Sequence, residues 1–246
     1  MTKTTAQSIL VVDDDLDAGQ NLGDILADLG YQVDIASDPF AAWKMSQEKS
    51  YDIALLDLKM PGMDGLTLAR KLKDERPATL LVLTTAYANR DTLAEAQRDG
   101  IWRVFSKPLD LQHVIPSLAE ASRQPLVLLI EDDEDLCHSL MDLLRDQGYR
   151  VSFATEIDSA LHCLSKSDFH IILLDMQLPG GFGDEVFSKV RGISDQVRVV
   201  LSTGYRHEME NRIQRALTAG ADAVCYKPFQ MAELLTTLKR LSDPLT

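Results

Sequence analysis

The stretch IALLDLKMPGMDG, residues 53–65, decides the fold of this chain. A short apolar run ends in an aspartate, Asp57, and is followed by a turn rich in proline and glycine. The run is too short for a typical helix and indicates a strand buried on both faces, as in a parallel sheet. Because such sheets bind their ligands at the carboxyl ends of the strands, the position of Asp57 predicts a functional site there.

The same pattern occurs a second time, as IILLDMQLPGGFG at residues 171–183, with Asp175 in the place of Asp57. The two aspartates are 118 residues apart, and other landmarks keep this offset or differ from it by two residues. These further pairs are Asp14 and Asp132, Thr85 and Thr203, and Lys107 and Lys227. A repeat of this length indicates tandem globular domains, because the repeats of solenoid proteins are about 20–50 residues long.

Within each copy, short apolar runs alternate five times with segments of helical periodicity. In the first copy the series begins with a strand at residues 9–12 and ends with a helix at 110–121. This order predicts an α/β fold in which helices cover both faces of a parallel sheet. We expect a first domain at residues 1–121, a short polar linker at 122–125, and a second domain at 126–246.

The composition limits the possible functions. A chain of 246 residues has room for two domains of about 100–150 residues. A net charge of −13 argues against binding to nucleic acid or to an anionic membrane, which requires clustered lysine and arginine. The three cysteines, Cys137, Cys163 and Cys225, have no CxxC spacing, which favours a reducing compartment. Since no apolar run reaches about 18 residues and no signal peptide is evident, we expect a soluble, cytoplasmic protein.

Each copy places acidic residues, a threonine and a lysine at predicted strand ends, which meet at one edge of a parallel sheet. The two sets are Asp13, Asp14, Asp57, Thr85 and Lys107, and Glu131, Asp132, Asp175, Thr203 and Lys227. Neighbouring carboxylates repel one another unless a cation offsets their charge, and Mg²⁺ prefers such oxygen ligands. The lysine and the threonine indicate that a phosphoryl group also binds, because they supply a point charge and a directional donor.

These residues resemble the receiver domains of bacterial two-component response regulators. In the first copy the similarity is carried by VVDD at 11–14, LLDLKMPGMDG at 55–65, TA at 85–86 and SKP at 106–108. In the second it is carried by LIEDD at 129–133, LLDMQLPG at 173–180, TG at 203–204 and YKPF at 226–229. The resemblance implies two tandem flavodoxin-like (βα)5 domains, each with a doubly wound sheet of strand order 2-1-3-4-5.

The resemblance also implies a role for each site residue. Asp57 and Asp175 accept a phosphoryl group from phosphohistidine, and its oxygens are bound by Thr85, Lys107, Thr203 and Lys227. The implied Mg²⁺ ligands, direct or through water, are Asp13, Asp14, Asp57 and the carbonyl of Lys59, and Glu131, Asp132, Asp175 and the carbonyl of Gln177. The protein is then a phosphoacceptor and no enzyme towards other substrates. Its implied partners are a histidine kinase or histidine phosphotransfer protein and an unknown downstream protein; homodimerisation and packing between the copies both stay open.

Two positions depart from the family pattern. The aromatic residue usual three positions before the lysine is replaced by Val104 and Val224. The aromatic residues that follow, Phe105 and Tyr226, are expected on the opposite face of their strands because side chains alternate. The usual rotamer switch is therefore not expected in either copy, whereas a loop shift through the threonine is.

The residues that flank the expected path of a hydrolytic water differ between the copies. In the first they are Lys59 and Tyr87, and in the second Gln177 and Tyr205. A tyrosine ring over the site excludes water, and only the amide of Gln177 can both accept from and donate to a water. We therefore expect slow loss of the phosphoryl group from both copies, slower in the first.

The sequence has four alternatives to this function. The chain is alternatively a tandem-receiver fragment of a larger hybrid histidine kinase or cyclic-dinucleotide synthase. A phosphatase that uses Asp57 as nucleophile requires an aspartate two residues later, where Lys59 and Gln177 stand. A flavin domain is disfavoured, because the acidic run at 13–15 repels a cofactor phosphate. Either copy is alternatively an unphosphorylated docking scaffold.

Overall fold

The computed structural model describes residues 7–87, 90–179, 181–194, 196–204 and 210–242, with only the backbone of 182–185. The chain divides into two compact units, Met1–Arg123 and Gln124–Thr246. In the first unit the elements are β1 (Ser8–Val12), α1 (Leu16–Asp28), β2 (Gln32–Ala36), α2 (Pro39–Glu48), β3 (Ile53–Asp57), α3 (Gly65–Glu75), β4 (Leu80–Thr85), α4 (Arg90–Arg98), β5 (Arg103–Ser106) and α5 (Leu111–Ala121). All strand pairs are parallel, in the order β2-β1-β3-β4-β5.

The second unit repeats this architecture and adds a short hairpin. Its elements are β6 (Leu126–Ile130), α6 (Glu134–Asp146), β7 (Arg150–Ala154), α7 (Ile157–Lys166), β8 (Ile171–Asp175), β9 (Gln177–Leu178), β10 (Gly181–Phe182), α8 (Gly183–Ile193), β11 (Arg198–Thr203), α9 (Glu210–Thr218), β12 (Ala223–Tyr226) and α10 (Met231–Ser242). The parallel sheet has the order β7-β6-β8-β11-β12, and β9 pairs with β10 separately. Both sheets confirm the predicted doubly wound fold.

Each central strand is buried on both faces, as the apolar runs predict. All five residues of β3 and all five of β8 are buried. In the first unit, alternate residues feed two apolar clusters: Leu10 and Leu56 pack with α2, α3 and α4, whereas Val11 and Leu55 pack with α1 and α5. The helices therefore cover both faces of the sheet and leave the carboxyl edge of the strands for the acidic residues.

The acidic runs after β1 and β6 have two structural roles. Asp15 caps α1 by accepting a hydrogen bond from the N–H of Ala18, and Asp133 caps α6 in the same way through Leu136. Such caps satisfy backbone donors that the first helical turn leaves unpaired. Asp15 and Asp133 thus serve as helix caps, while Asp13 and Glu131 are buried at the strand ends.

No helix in the described part of the chain is both long enough and apolar enough to cross a membrane.

Gly65 fixes the path of the chain from Asp57 into α3. A Cβ atom at this position would collide with the carbonyl oxygen of Asp57 and would lie 3.0 Å from the Cα of Leu58. These are backbone atoms, which cannot move aside as a flexible side chain can. The first residue of α3 must therefore have no side chain if the helix is to begin this close to the end of β3.

Gly65→Ala is expected to lower the free energy of unfolding by about 1–3 kcal/mol, the usual cost of overpacking. Gly19→Ala is the matched control, because its added Cβ makes ordinary contacts of 3.5 Å with Ile35 and 3.6 Å with Asp13. Alanine inside a helix is favoured over glycine by about 0.5–1 kcal/mol, so this variant should not lose stability. Both tryptophans, Trp43 and Trp102, lie in the first unit, so denaturation followed by their fluorescence measures it directly. A Gly65→Ala protein as stable as Gly19→Ala would contradict this packing.

Candidate functional site

The first acidic site lies at the carboxyl ends of β1 and β3. Asp13, Asp14 and Asp57 each offer a carboxylate oxygen within 4.8 Å of the others. Asp13 is 7% exposed and Asp57 9% exposed, whereas Asp14 is open to solvent. Two of the three charges are therefore largely removed from water, and their mutual repulsion requires a nearby cation.

Lys107 supplies such a cation. Its Nζ lies 2.7 Å from Oδ2 of Asp13 and 3.1 Å from Oδ2 of Asp57. Partial burial alone would lower the pKa of Lys107, but its bonds to these two carboxylates outweigh this and raise the pKa above its usual value. The lysine is consequently a permanent positive charge at neutral pH.

The second site repeats this arrangement with a glutamate. Glu131, Asp132 and Asp175 also have carboxylate oxygens within 4.8 Å of one another. The Nζ of Lys227 lies 2.5 Å from Oε2 of Glu131 and 2.6 Å from Oδ2 of Asp175. Burial raises the pKa of Glu131, and the charge of Asp175 raises it further, while Lys227 opposes both. Here the lysine is held tightly by two nearly buried carboxylates.

The threonines lie beside the lysines across neighbouring strands. Thr85 and Thr203 are each 1% exposed. The backbone N–H of Lys107 donates to the carbonyl of Thr85 at 2.7 Å, and that of Lys227 to the carbonyl of Thr203 at 2.9 Å. The Thr85 hydroxyl donates to the carbonyl of Tyr87 and accepts from its N–H, each at 3.1 Å. This hydroxyl is thus engaged in a local turn that follows β4.

The donor sets fit a hard divalent cation. In the part of the chain that the structure describes, each site has three carboxylates, no sulfur or nitrogen ligand, and one exposed member, Asp14 or Asp132, through which water can reach the site. Mg²⁺ takes oxygen ligands, commonly from one or two carboxylates, and retains several waters. An exposed acidic group at the mouth of a nearly buried pair suits such partial coordination.

Phe105 lies where the sequence predicts it. Val104 packs in the cluster that contains Leu83 and Ile101, whereas Phe105 packs with Val114 and Leu118 on the other face of the sheet. The aromatic residue therefore points away from the face on which Val104 lies.

The corresponding expectation for Tyr226 is wrong. Tyr226 comes two residues after Val224, so alternation places both on the same face of β12. Cys225, between them, packs in the buried core of the second unit together with Ala223. Tyr226 is paired in register with Thr203. The second unit thus has an aromatic residue on the Val224 face, next to the site threonine.

The expected shielding by Tyr87 is also wrong, because this residue is 81% exposed and its ring is not packed over Asp57. Tyr205, its counterpart, lies outside the described residues.

Sequence reasoning missed two features of the second site. One is the β9–β10 hairpin directly after Asp175. The other is a hydrogen bond of 2.9 Å from the backbone N–H of Gln177 to Oδ1 of Asp175. A signal was present in the sequence, since Gly181 and Phe182 stand where the first copy has Met63 and Asp64.

Comparison with known proteins identifies the family. A family model described as the response regulator receiver domain matches residues 9–119 and 127–239. The chain is 30% identical over 232 residues to a response regulator receiver protein of Anaeromyxobacter sp. (strain Fw109-5), and the match covers 94% of each chain. The chain therefore belongs to the response regulator receiver family and contains two receiver domains in tandem, modules of two-component signalling.

Other relatives share one receiver domain. The transcriptional regulatory protein ZraR of Klebsiella oxytoca is 35% identical over 113 residues, which are 46% of this chain and 26% of that protein. Among solved structures, a CheY-like receiver domain protein from Methanospirillum hungatei JF-1 is 26% identical with a TM-score of 0.47. That match covers 48% of this chain and 94% of the other.

Lys107→Met should destabilise the first unit by about 1–3 kcal/mol, because two nearly buried carboxylates lose their hydrogen-bond donor. Lys49→Met removes an ion pair with Asp34 whose lysine is 43% exposed, and should cost less than about 1 kcal/mol. Since the pKa of Lys107 is raised, its contribution is fully present below pH 10.5, the ordinary lysine value, and is lost as the pH rises through the folded-state pKa. Tryptophan-monitored denaturation at pH 7 compares the stability of the two variants. Equal losses of stability would contradict the predicted difference between Lys107 and Lys49.

Proposed function

We propose that this protein is a tandem-receiver response regulator that accepts phosphoryl groups on Asp57 and Asp175 with Mg²⁺. The observation that carries the proposal is the duplicated site, in which three carboxylates and a lysine converge at the carboxyl edge of each sheet. A cluster that served stability alone would gain nothing from this concentration of like charge.

The reaction follows from the chemistry of these groups. A carboxylate oxygen of the acceptor aspartate forms a bond to phosphorus, while the P–N bond of phosphohistidine breaks and its electron pair returns to the imidazole. Lys107 or Lys227 moves to the phosphoryl oxygens, and Thr85 or Thr203 donates its hydroxyl to another of them. Asp13 and Asp14, or Glu131 and Asp132, would hold Mg²⁺, which would supply positive charge against the carboxylates and the incoming phosphoryl group. Catalysis of this kind consists mainly of positioning and charge compensation.

The partners follow from this role. A histidine kinase or a histidine phosphotransfer protein supplies the phosphoryl group, and a downstream protein responds to the change in each receiver surface. Domain boundaries at 1–121 and 126–246, with a linker at 122–125, and a cytoplasmic location complete the proposal. The acidic charge of −13 disfavours nucleic acid and anionic membranes as targets.

The alternative is that the tandem receivers belong to a longer protein, such as a hybrid histidine kinase or a cyclic-dinucleotide synthase. One observation favours it: ZraR carries its matching receiver as only 26% of its length. The relative that matches across both receivers, with 94% of its own length covered, favours the shorter form. The reading frame of the gene decides between them.

Intact-mass spectrometry after incubation with acetyl phosphate and Mg²⁺ tests the acceptor assignment. The wild type should gain up to two phosphoryl groups, Asp57→Ala and Asp175→Ala one each, and the double variant none. Asp52→Ala is a control, because Asp52 accepts a hydrogen bond from Ser8 at the amino end of β3, away from the site. It should still gain two groups. Unchanged labelling of the double variant would overturn the assignment.

The phosphoryl group should be lost more slowly from Asp57 than from Asp175. The reason is the residue two positions after each acceptor, since the amide of Gln177 can orient a water and the ammonium of Lys59 cannot. Decay is measured in Asp175→Ala and Asp57→Ala proteins after removal of the phosphodonor, with Mg²⁺ present. Gln177→Lys in the Asp57→Ala protein should slow the loss. Faster loss from Asp57 than from Asp175 would contradict this prediction.

A further inference from the structure

The two acceptor carboxylates are held differently. In the second unit, Oδ1 of Asp175 accepts from the backbone N–H of Gln177 at 2.9 Å, and Oδ2 accepts from Lys227 at 2.6 Å. In the first unit, Oδ2 of Asp57 lies 3.1 Å from Lys107. Within the described ranges, no backbone N–H donates to the Asp57 carboxylate. Among the described residues, Asp175 thus has both carboxylate oxygens engaged, whereas Asp57 has one, at a longer distance.

The difference originates in the segment that follows each acceptor. In the second unit, Gln177 pairs with Phe182 and Leu178 with Gly181 in the antiparallel β9–β10 hairpin. This pairing fixes the backbone of Gln177 beside Asp175. In the first unit the corresponding residues 59–64 form no strand. There Asp64 caps α3 instead, accepting from the N–H of Thr67 at 2.7 Å.

Four substitutions separate the two segments, KMPGMD at 59–64 and QLPGGF at 177–182. The most consequential replaces Asp64 by Phe182, which has no oxygen with which to cap a helix. A second replaces Met63 by Gly181. Both segments keep a proline followed by a glycine in the middle, a pair that is typical of tight turns. The sequence therefore selects a capped turn in the first unit and a hairpin in the second.

We propose that the β9–β10 hairpin makes Asp175 the slower of the two phosphoacceptors, with the backbone N–H of Gln177 as the group that restrains its carboxylate. This inference rests on the proposed function, because it concerns the rate of the same reaction. The hairpin then influences how the phosphoryl groups are divided between the two receivers.

The charge of the acceptor carboxylate changes during the reaction. With acetyl phosphate as donor, a carboxylate oxygen forms a bond to phosphorus while the bond from phosphorus to the acetate oxygen breaks, and the electron pair leaves with acetate. The negative charge of the aspartate is consumed in this step. A hydrogen bond to that charge is therefore stronger before the reaction than in the transition state, and an interaction of this kind slows the reaction. Losing about one such bond corresponds to a rate difference of about threefold to tenfold.

The first arm of the test compares initial rates of labelling by acetyl phosphate with Mg²⁺ present. Asp175→Ala reports the rate at Asp57, and Asp57→Ala the rate at Asp175. We expect labelling at Asp57 to be about threefold to tenfold faster. Equal rates, or faster labelling at Asp175, would overturn the proposal. Absence of labelling in every protein would instead contradict the proposed function, so the two failures are distinguishable.

The second arm exchanges the segments reciprocally. In the Asp57→Ala protein, the changes Gln177→Lys, Leu178→Met, Gly181→Met and Phe182→Asp install the segment of the first unit and should accelerate labelling at Asp175. In the Asp175→Ala protein, the reverse changes at 59–64 should slow labelling at Asp57. Damage to the fold can only slow a reaction, so acceleration in one direction distinguishes restraint from disruption. Unchanged rates in both exchanges would overturn the proposal.

Amide hydrogen exchange gives a readout that does not depend on phosphorylation. The N–H of Gln177 is hydrogen-bonded to Asp175 and should exchange more slowly than the N–H of Lys59 in the same wild-type protein. The protection of Gln177 should fall when the segment of the first unit is installed. Equal exchange at the two positions would show that the hairpin does not restrain the carboxylate.

Discussion

Repulsion between carboxylates at the edge of each sheet is the constraint on which the rest of the structure depends. Asp13 and Asp57, or Glu131 and Asp175, are nearly buried, and their charges must be compensated. Lys107 and Lys227 compensate these charges, because each lies within ion-pair distance of the two nearly buried carboxylates of its site. A lysine ammonium is a mobile point charge. Under the proposed function, it can therefore give way to a metal ion and move to a phosphoryl group.

The fold brings these charged groups together at one edge of each sheet. A parallel sheet places the carboxyl ends of its strands at one edge, and the central apolar strands end at Asp57 and Asp175. The neighbouring strand β4 places Thr85 in register with Ser106, the residue directly before Lys107. The absence of a side chain at Gly65 lets α3 begin immediately behind Asp57. Each of these features is local, and together they set the geometry of the site.

Much of this was predictable from sequence because the signals are strong and periodic. The apolar runs that end in Asp57 and Asp175, and the repeat itself, predicted both sheets and the residues at their edge. The contacts between side chains within the site were harder to predict. The sequence placed Lys107 near a phosphoryl group, but its contact with Asp13 depends on side-chain positions that no periodicity encodes.

The errors have physical reasons as well. Tyr226 lies on the same face as Val224, because the two are two residues apart and side chains alternate with a period of two. The opposite face is expected only for an immediate neighbour, as Phe105 is of Val104. The hairpin after Asp175 escaped prediction because strands of two residues have too few positions to show alternation. The exposure of Tyr87 depends on the conformation of a loop. Helices and long strands are thus predictable from pattern, whereas the short elements near the site are set by a few local contacts that leave no periodic signal.

The most direct test of the central claim is a calorimetric titration with MgCl₂. If each carboxylate cluster is a metal site whose charge the lysine only temporarily offsets, the wild type should bind two ions, Asp14→Ala and Asp132→Ala one each, and the double variant none. Metal binding to the double variant with unchanged stoichiometry would show that the acidic clusters are not the sites, and would contradict this account.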